Sequence, residues 1–470
     1  MMRTHLIRFA LFFLLVVYVR AGDYSRYPVL DAYIKEALQN NLALKQKQFD
    51  FRKSMQALRE ARGMFYPSVG IEARYSRAGG GRTIDFPLGD LMNPVYRTLN
   101  DILVGIGQPP RPFPTLENQT IPFLREREHE TKIRAVQPVF QPALYYNYKI
   151  KSNLQQINEN EVAVYTRQLI QDVKKAYFNV LKTEYLVRLM RQTAEVVQEN
   201  LRVSQKLYEN DKATREVVYR AETEKSKIEQ SILEAKNQRQ IAAFYFNFLL
   251  NRPLDKAITL IDDLKLDTYL IPEAEQAWRE ALKRREELKQ LEEAVNAADY
   301  SGKIAASSFL PALNLVADFG YQGEEYRFGK EDDFWMVSGI LQWNLFRGFQ
   351  DDARRQQAVM EKKKLETQLQ EFRMQIRLQV QKAVNRVITA KKSIRVAEDR
   401  VNSARESFKI VNKKYKEGMA AHIEYLDARI TMTRAEVNRL IAYYEYLIYQ
   451  AELERVTAAL SLENFKEDAK

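Results

Sequence analysis

Two long stretches of this chain contain almost no glycine or proline. Residues 143–252 contain neither, and residues 349–470 contain one glycine, Gly418, and no proline. Ordinary α/β and β-sandwich folds need turn residues about every dozen positions, so these stretches cannot encode them. Apolar residues in the first stretch recur at helical spacing, for example Leu169, Val173, Ala176 and Val180. The pattern therefore predicts very long helices.

Each stretch is predicted to form a hairpin of a long rod and a returning helix. In the first hairpin the rod is expected at residues 143–209 and the returning helix at 214–250. In the second hairpin the rod is expected at residues 349–414 and the returning helix at 421–461. At about 1.5 Å per residue, each rod is ~100 Å long. The tips lie near residues 209–214 and 415–421. There we expect Asn210, or Gly418 in the second hairpin, to take the left-handed conformation that ends a helix.

The sequence also repeats itself internally. Three pairs of segments carry the repeat: residues 30–38 with 274–282, Tyr66-Pro67 with Leu310-Pro311, and Tyr208 with Tyr415. The first two pairs are offset by 244 residues and the third by 207. Pro138-Val139-Phe140 matches Asn344-Leu345-Phe346 at an offset of 206, so the first copy carries about 38 extra residues between Pro67 and Phe140. The chain is therefore predicted to be an internal duplication.

Before its hairpin, each copy is predicted to contain one helix and two strands. The helices are expected at residues 30–64 and 273–307, the first strands at 66–76 and 312–322, and the second strands at 131–141 and 334–346. Period-two alternation of apolar and polar residues indicates the strands. The loop between the strands is short in the second copy. In the first copy it covers residues 78–130 and is rich in glycine and proline.

The N-terminus is typical of a secretory signal peptide over residues 1–21. Arg3 and Arg8 precede an apolar run that is too short to span a bilayer as a helix. We expect the signal peptide to be followed by a first repeat at residues 22–252, a linker at 253–272 and a second repeat at 273–470.

Charge and cysteine usage exclude several classes of function. The chain has 73 Lys and Arg against 62 Asp and Glu, but the charges interleave along helices. We therefore expect solvated helix faces and no nucleic-acid partner. With no cysteine and three histidines, thiolate metal sites, Cys nucleophiles and an N-terminal lipid anchor are excluded, and no cofactor or resident metal is expected.

Four strands cannot close a barrel, and an open amphipathic sheet leaves two unpaired edges. The smallest membrane barrels have about eight strands, whereas three copies would supply twelve. Closure by trimerisation would place polar strand residues in a water-filled lumen: Glu72, Arg74, Asn314 and Asp318. The rods exceed a bilayer core of about 30 Å threefold, so they would project into the periplasm. A soluble sheet packed on helices is the alternative.

The sequence resembles the TolC family of outer-membrane efflux proteins over residues 28–462. The resemblance rests on three segments: Glu36-Ala37-Leu38-Gln39-Asn40-Asn41, Trp343-Asn344-Leu345-Phe346-Arg347-Gly348, and the tip from Tyr415 to Ala428. It implies a mainly α protein with a small β part, an internally duplicated protomer of long antiparallel helices plus four β-strands. Three protomers would form a homotrimer with a 12-stranded outer-membrane β-barrel and a 12-helix periplasmic α-barrel tunnel.

The resemblance also implies roles for tip residues. Glu424 and Asp427 share one helix face and match the two acidic rings of the family's selectivity gate. Tyr415 matches a tyrosine of the closed-state hydrogen-bond network. Gly418, Asn210 and Asp211 are candidates for adaptor docking. The simpler interpretation of Glu424 and Asp427 is a pair of solvated helix-surface acids.

This chain departs from the family pattern at two tip positions. Ala420 stands where a family member has an arginine, and Val217 stands where it has an acid. That member's closing salt bridge is therefore not expected with the same residues, and Glu216 or Arg215 are candidates to replace it. His422 is expected to be a solvated tip residue.

The expected function is an outer-membrane exit duct of a tripartite efflux or type I secretion system. Its expected partners are a periplasmic adaptor, an inner-membrane pump and outer-membrane lipid. An enzyme is not expected, because the sequence has no Gly-rich phosphate loop, metal-ligand spacing or nucleophile–base pair. The remaining alternative is a non-channel structural or membrane-associated long-helix protein.

Overall fold

The computed structural model describes residues 27–261 and 269–462. The predicted signal peptide and part of the predicted linker lie outside these residues. The described elements are α1 (Pro28–Asn40), α2 (Leu42–Gly63), β1 (Ser68–Arg77), β2 (Thr83–Phe86), α3 (Leu88–Gly105), β3 (Gln119–Pro122), β4 (Arg127–Phe140), α4 (Pro142–Glu209), α5 (Arg215–Leu249), α6 (Ala274–Arg284), α7 (Glu286–Ser307), β5 (Ala312–Gly323), β6 (Asp333–Gln342), α8 (Gln350–Lys416) and α9 (His422–Val456).

The two predicted rods are present as single helices. α4 has 68 residues and α8 has 67 residues. The returning helices α5 and α9 have 35 residues each and begin 207 positions apart, at the offset of the sequence repeat. The duplication therefore extends to the ends of individual helices.

Each opening helix is broken, which corrects the prediction of one helix at 30–64 and one at 273–307. α1 ends at Asn40 and α6 ends at Arg284, and the residues that follow them, Asn41 and Arg285, have extended backbone angles. The Asn41 side chain accepts a hydrogen bond from the Leu44 backbone N–H at 3.0 Å, so it caps α2. Asn41 also donates to the carbonyl of Leu249 at 2.9 Å, and this tertiary contact holds the break in place.

The left-handed residues at the two hairpin tips are Asp211, with φ 53°, and Gly418, with φ 75°. They lie 207 positions apart. Gly418 was predicted correctly, but the expectation for Asn210 was wrong by one position. Asn210 instead uses its side chain, which donates to the carbonyl of Lys206 at 2.6 Å.

The chain divides into two compact units. The helical unit comprises residues 27–53, 156–261, 269–294 and 365–462, and its buried core unites both repeats. Aromatic packing fixes part of this core, with the ring centroids of Tyr33 and Phe246 5.0 Å apart. The Tyr33 hydroxyl accepts a hydrogen bond from the Thr259 N–H at 2.8 Å, which ties the start of the linker to the core.

The second unit comprises Ser54–Gln155 and Val295–Lys364 and contains a four-stranded antiparallel sheet. The strand order is β1-β4-β5-β6, so β1 and β6 are the edges. The second strand of each copy differs slightly from its prediction, since β4 begins at Arg127 and β6 ends at Gln342. Both predicted pairs of strands are therefore present in one open sheet.

The segment predicted as a long loop, 78–130, has structure of its own. It contains the two-stranded sheet β2-β3 and the helix α3. Asn93 and Asn100 on α3 each exchange two hydrogen bonds with the backbone between residues 111 and 116. Hydrogen bonds from side-chain amides to the backbone leave no periodic pattern in the sequence, so the structure of this segment was not predicted.

We predict that Gly418→Ala lowers the free energy of unfolding by about 1 kcal/mol, because an L side chain disfavours the left-handed conformation. A Cβ atom there would meet no other atom within 4 Å, so no steric clash contributes. Gly302→Ala, inside α7, is the matched control and should stabilise the protein slightly. Unfolding in urea, followed by helical circular dichroism, measures both. Equal effects of the two substitutions would contradict the prediction.

Candidate functional site

Arg134 on β4 is the centre of an ion-pair network on one face of the sheet. Its Nε and Nη2 atoms donate to the two carboxylate oxygens of Asp318 on β5, each at 2.8 Å. Its Nη1 atom lies 3.1 Å from a carboxylate oxygen of Glu72 on β1. Asp318 is only 3% exposed, and the bidentate bond to Arg134 stabilises its buried charge. The network therefore joins three strands that are distant in sequence.

Lys132 extends the network along β4. Its Nζ atom lies 2.6 Å from a carboxylate oxygen of Glu130 and 3.8 Å from one of Glu72. Glu130 also pairs with Arg74 on β1, at 3.2 Å. The charges alternate in sign along and across the strands, and opposite charges on neighbouring strands stabilise a sheet.

Asn314 lies on the same face of β5, where its side-chain oxygen accepts a hydrogen bond from Gln141 at 2.8 Å. The four polar residues singled out from the sequence thus share one face of the sheet. The sequence analysis missed their partners on β4. Glu130, Lys132 and Arg134 alternate with period two, and this pattern was the available signal.

The opposite face of the sheet is apolar on every strand. One row crosses all four strands in register and consists of Ile71, Ile133, Phe319 and Trp335. In the single copy, Ile71 is 75% exposed and Trp335 is 77% exposed. A contiguous apolar surface of this kind is typical of a membrane or protein contact. Among residues 27–261 and 269–462, no helix has both the length and the hydropathy to cross a membrane.

The tip of the second hairpin contains a packed aromatic cluster. Tyr415, near the end of α8, is buried, and its ring centroid lies 5.0 Å from that of Tyr425 on α9. The Tyr415 hydroxyl is 3.0 Å from Nδ1 of His422, the first residue of α9. His422 is half-buried, so the expectation of a solvated residue was wrong. The reversal at Gly418 brings these side chains together.

Burial lowers the pKa of His422 from its ordinary value of 6.5, and the positive charge of Arg220 on α5 lowers it further. Both causes disfavour the charged imidazolium. The environment of the tip therefore favours the neutral form of the His422 ring.

Glu424 and Asp427 lie at the start of α9, and both are exposed. Asp427 lines a cavity of about 400 Å³ between α5 and α9, together with Glu216 and Arg220. Glu424 does not line that cavity. In the described part of the chain, no group of three or more acidic or histidine side chains is arranged to hold a metal ion.

The two residues expected to replace the family's closing salt bridge, Glu216 and Arg215, have local partners on α5. Glu216 accepts a hydrogen bond from Arg220 at 2.6 Å. The guanidinium of Arg215 lies 5.3 Å from the ring centroid of Tyr219. Tyr415 instead bonds His422 on its own hairpin, which sequence comparison could not suggest because the contact depends on the turn geometry.

Residues 277–459 match the family model for outer membrane efflux proteins. This range contains most of α6 and all of α7, β5, β6, α8 and α9, including the tip with Tyr415 and Gly418. This part of the chain is therefore similar to the outer membrane efflux protein family. The first repeat lies outside the matched range, but it has the same order of helices and strands apart from its insertion.

Solved structures of membrane proteins share the fold of this chain. The CmeC outer membrane channel of Campylobacter jejuni is 15% identical, with 94% of this chain and 89% of that chain covered and a TM-score of 0.78. A membrane protein of Pseudomonas aeruginosa is 17% identical, with coverages of 92% and 93% and a TM-score of 0.76. VceC of Vibrio cholerae is 15% identical, with coverages of 91% and 95% and a TM-score of 0.75. No curated protein matches the sequence significantly.

At these identities the structures establish the fold alone. The family match over residues 277–459 indicates an outer-membrane location. The exposed apolar face of the sheet agrees with this location, because it would otherwise remain in contact with water.

We predict that His422 makes the stability of the protein pH-dependent. Since folding lowers the pKa of His422, its contribution is present above pH 6.5 and is lost as the pH falls through the folded-state pKa. The difference in melting temperature between the wild type and His422→Gln should therefore shrink between about pH 7.5 and pH 5. The comparison cancels the pH effects that both proteins share. A difference that stays constant over this range would contradict the prediction.

Proposed function

We propose that three copies of this chain close their sheets into one 12-stranded barrel that conducts export substrates across the outer membrane. The observation that carries the proposal is a four-stranded sheet with two open edges, one charged face and one apolar face. An edge strand exposes unpaired backbone groups, and hydrocarbon offers them no partner. Pairing β1 of one copy with β6 of the next would satisfy both edges.

In this assembly the apolar face contacts lipid and the charged face lines the lumen. Glu72, Arg74, Asn314 and Asp318 would then contact water and passing substrate. Arg134 and Lys132 neutralise much of the acidic charge, so we expect the lumen wall to be densely charged but nearly balanced. Such a wall suits a duct that conducts substrates without binding them tightly.

The helical hairpins α4–α5 and α8–α9 supply four long helices per copy, and three copies would supply twelve for a periplasmic tunnel. We infer that the tips, with Asn210, Asp211 and Gly418, dock a periplasmic adaptor that links the duct to an inner-membrane pump. The duct itself is proposed to be passive and not an enzyme, with energy supplied by the pump.

The alternative of a non-channel long-helix protein is not favoured. It gives no role to the apolar row that begins at Ile71 and ends at Trp335, nor to the bidentate bond between Arg134 and Asp318. Long basic helices that act alone at a membrane surface do not need an open sheet with two unlike faces.

The trimer can be tested by cysteine crosslinking, since the chain contains no native cysteine. β1 and β6 are separated by two strands within one copy, so a crosslink between them must join two copies. We predict that Ile71→Cys combined with a cysteine at Trp335, Val337 or Leu341 gives dimers and trimers on denaturing gels. The corresponding single-cysteine variants are the controls and should remain monomers. A stable monomer by mass measurement in detergent, with no crosslink at any β6 position, would refute closure.

The gate assignment can be tested separately by conductance. We propose that Glu424 and Asp427 of three copies form two acidic rings that favour cations. Glu424→Gln with Asp427→Gln should raise single-channel conductance and weaken block by divalent cations in planar bilayers. Glu417→Gln changes an exposed acid of the same tip and should leave divalent block unchanged. Unaltered block in the double variant would count against the gate while leaving the barrel proposal intact.

A further inference from the structure

Arg429 on α9 is a buried cation with few polar contacts. It is 7% exposed. Its Nη1 atom donates to the sulfur of Met432 at 3.8 Å, and its guanidinium carbon lies 5.4 Å from the ring centroid of Phe408 on α8. Its Nε atom is buried and has no hydrogen-bond partner in the described part of the chain. Arginine stays protonated in proteins, so this charge is desolvated without a direct counter-charge.

The carboxylate that acts most strongly on Arg429 is already engaged elsewhere. Glu436, two turns along α9, is the acidic residue that stabilises the charge of Arg429. However, Glu436 pairs with Arg405 on α8, at 3.6 Å. Within residues 27–261 and 269–462, no carboxylate lies at ion-pair distance from Arg429. The structure therefore leaves a positive charge in the helical unit without a matched anion.

Arg429 lines a cavity of about 310 Å³ among α4, α5 and α9. The ionisable residues of its wall are Arg429, Arg434, Lys227 and Glu224. Lys227 and Glu224 lie 3.7 Å apart and offset one another, which leaves the two arginines in excess. The cavity is therefore positively charged.

A hydroxyl group adds a second donor to the same wall. Thr433 follows Arg429 by one helical turn and lines the same cavity, and its Oγ1 atom is buried without a hydrogen-bond partner in the described residues. Residues four positions apart share one helix face. An anion between them would receive bonds from both side chains and would neutralise the guanidinium.

We propose that this cavity binds a small inorganic anion, with Arg429 as its principal ligand and the Thr433 hydroxyl as the second. The bound anion stabilises the packing of α9 against α4 and α5, because it supplies the charge that these helices lack at their junction. Neither the barrel nor the gate is needed for this proposal.

Bromide is the probe, with the full-length protein purified in detergent and gluconate salt used to keep ionic strength constant. We expect bromide to raise the melting temperature by about 2 °C in a saturable manner. Arg429→Met should abolish this rise, and in gluconate it should be at least as stable as the wild type, because it removes an uncompensated charge. Arg439→Gln removes an exposed charge from the same helix outside the cavity, so it should keep the full response.

Two further measurements keep the test decisive if Arg429→Met does not fold. Thr433→Val keeps the side-chain shape and should raise the bromide concentration for half-maximal effect several-fold. Anomalous diffraction from bromide-soaked crystals should place a bromide within about 4 Å of the Arg429 guanidinium, a distance typical of a direct ion contact. Equal bromide responses in wild type and Arg429→Met, an unchanged response in Thr433→Val, or a partner copy's carboxylate in the cavity would each overturn the proposal.

Discussion

The unpaired edges of the sheet are the constraint on which the rest of the proposed assembly depends. Within one copy, β1 and β6 each have one side without a strand neighbour. Water can solvate such edges, but the apolar row from Ile71 to Trp335 argues that this sheet lies in hydrocarbon. Backbone groups in hydrocarbon need protein partners, and this requirement is the basis of the proposed closure on further copies. The ion pairs of Arg134 also hold the three strands in one register.

Internal duplication explains why one chain provides two similar hairpins, and the structure shows how strictly the repeat is kept. The returning helices start at Arg215 and His422 and end before left-handed residues at Asn251 and Ala458, in each case 207 positions apart. Helix ends depend on single residues with special backbone angles, so they are kept even where the surrounding side chains differ. The insertion between β1 and β4 is the main departure, and it lies in a loop, where added residues least disturb the sheet.

The parts of the fold that follow from periodicity were predictable. The rods, the four strands and their two faces each need only a repeated pattern of apolar residues. The breaks at Asn41 and Arg285 were not predictable, because no proline or glycine marks them and a tertiary bond from Asn41 to Leu249 holds the first. The left-handed position at Asp211 could have been found from the repeat, since it aligns with Gly418. The aromatic cluster at the tip was missed because its residues meet only after the turn forms.

That cluster changes how closure of the proposed channel should be understood. In the resembling family, the tyrosine matched by Tyr415 belongs to the closed-state network. Here Tyr415 bonds His422 on the same hairpin, and a bond within one hairpin does not resist its separation from the other hairpin. Contacts between the hairpins include those in the groove around Asp427 and Arg429, and the ion pair between Lys174 on α4 and Glu454 on α9, at 2.6 Å. Separation of the hairpins would have to break these contacts, whereas the bond between Tyr415 and His422 would remain intact.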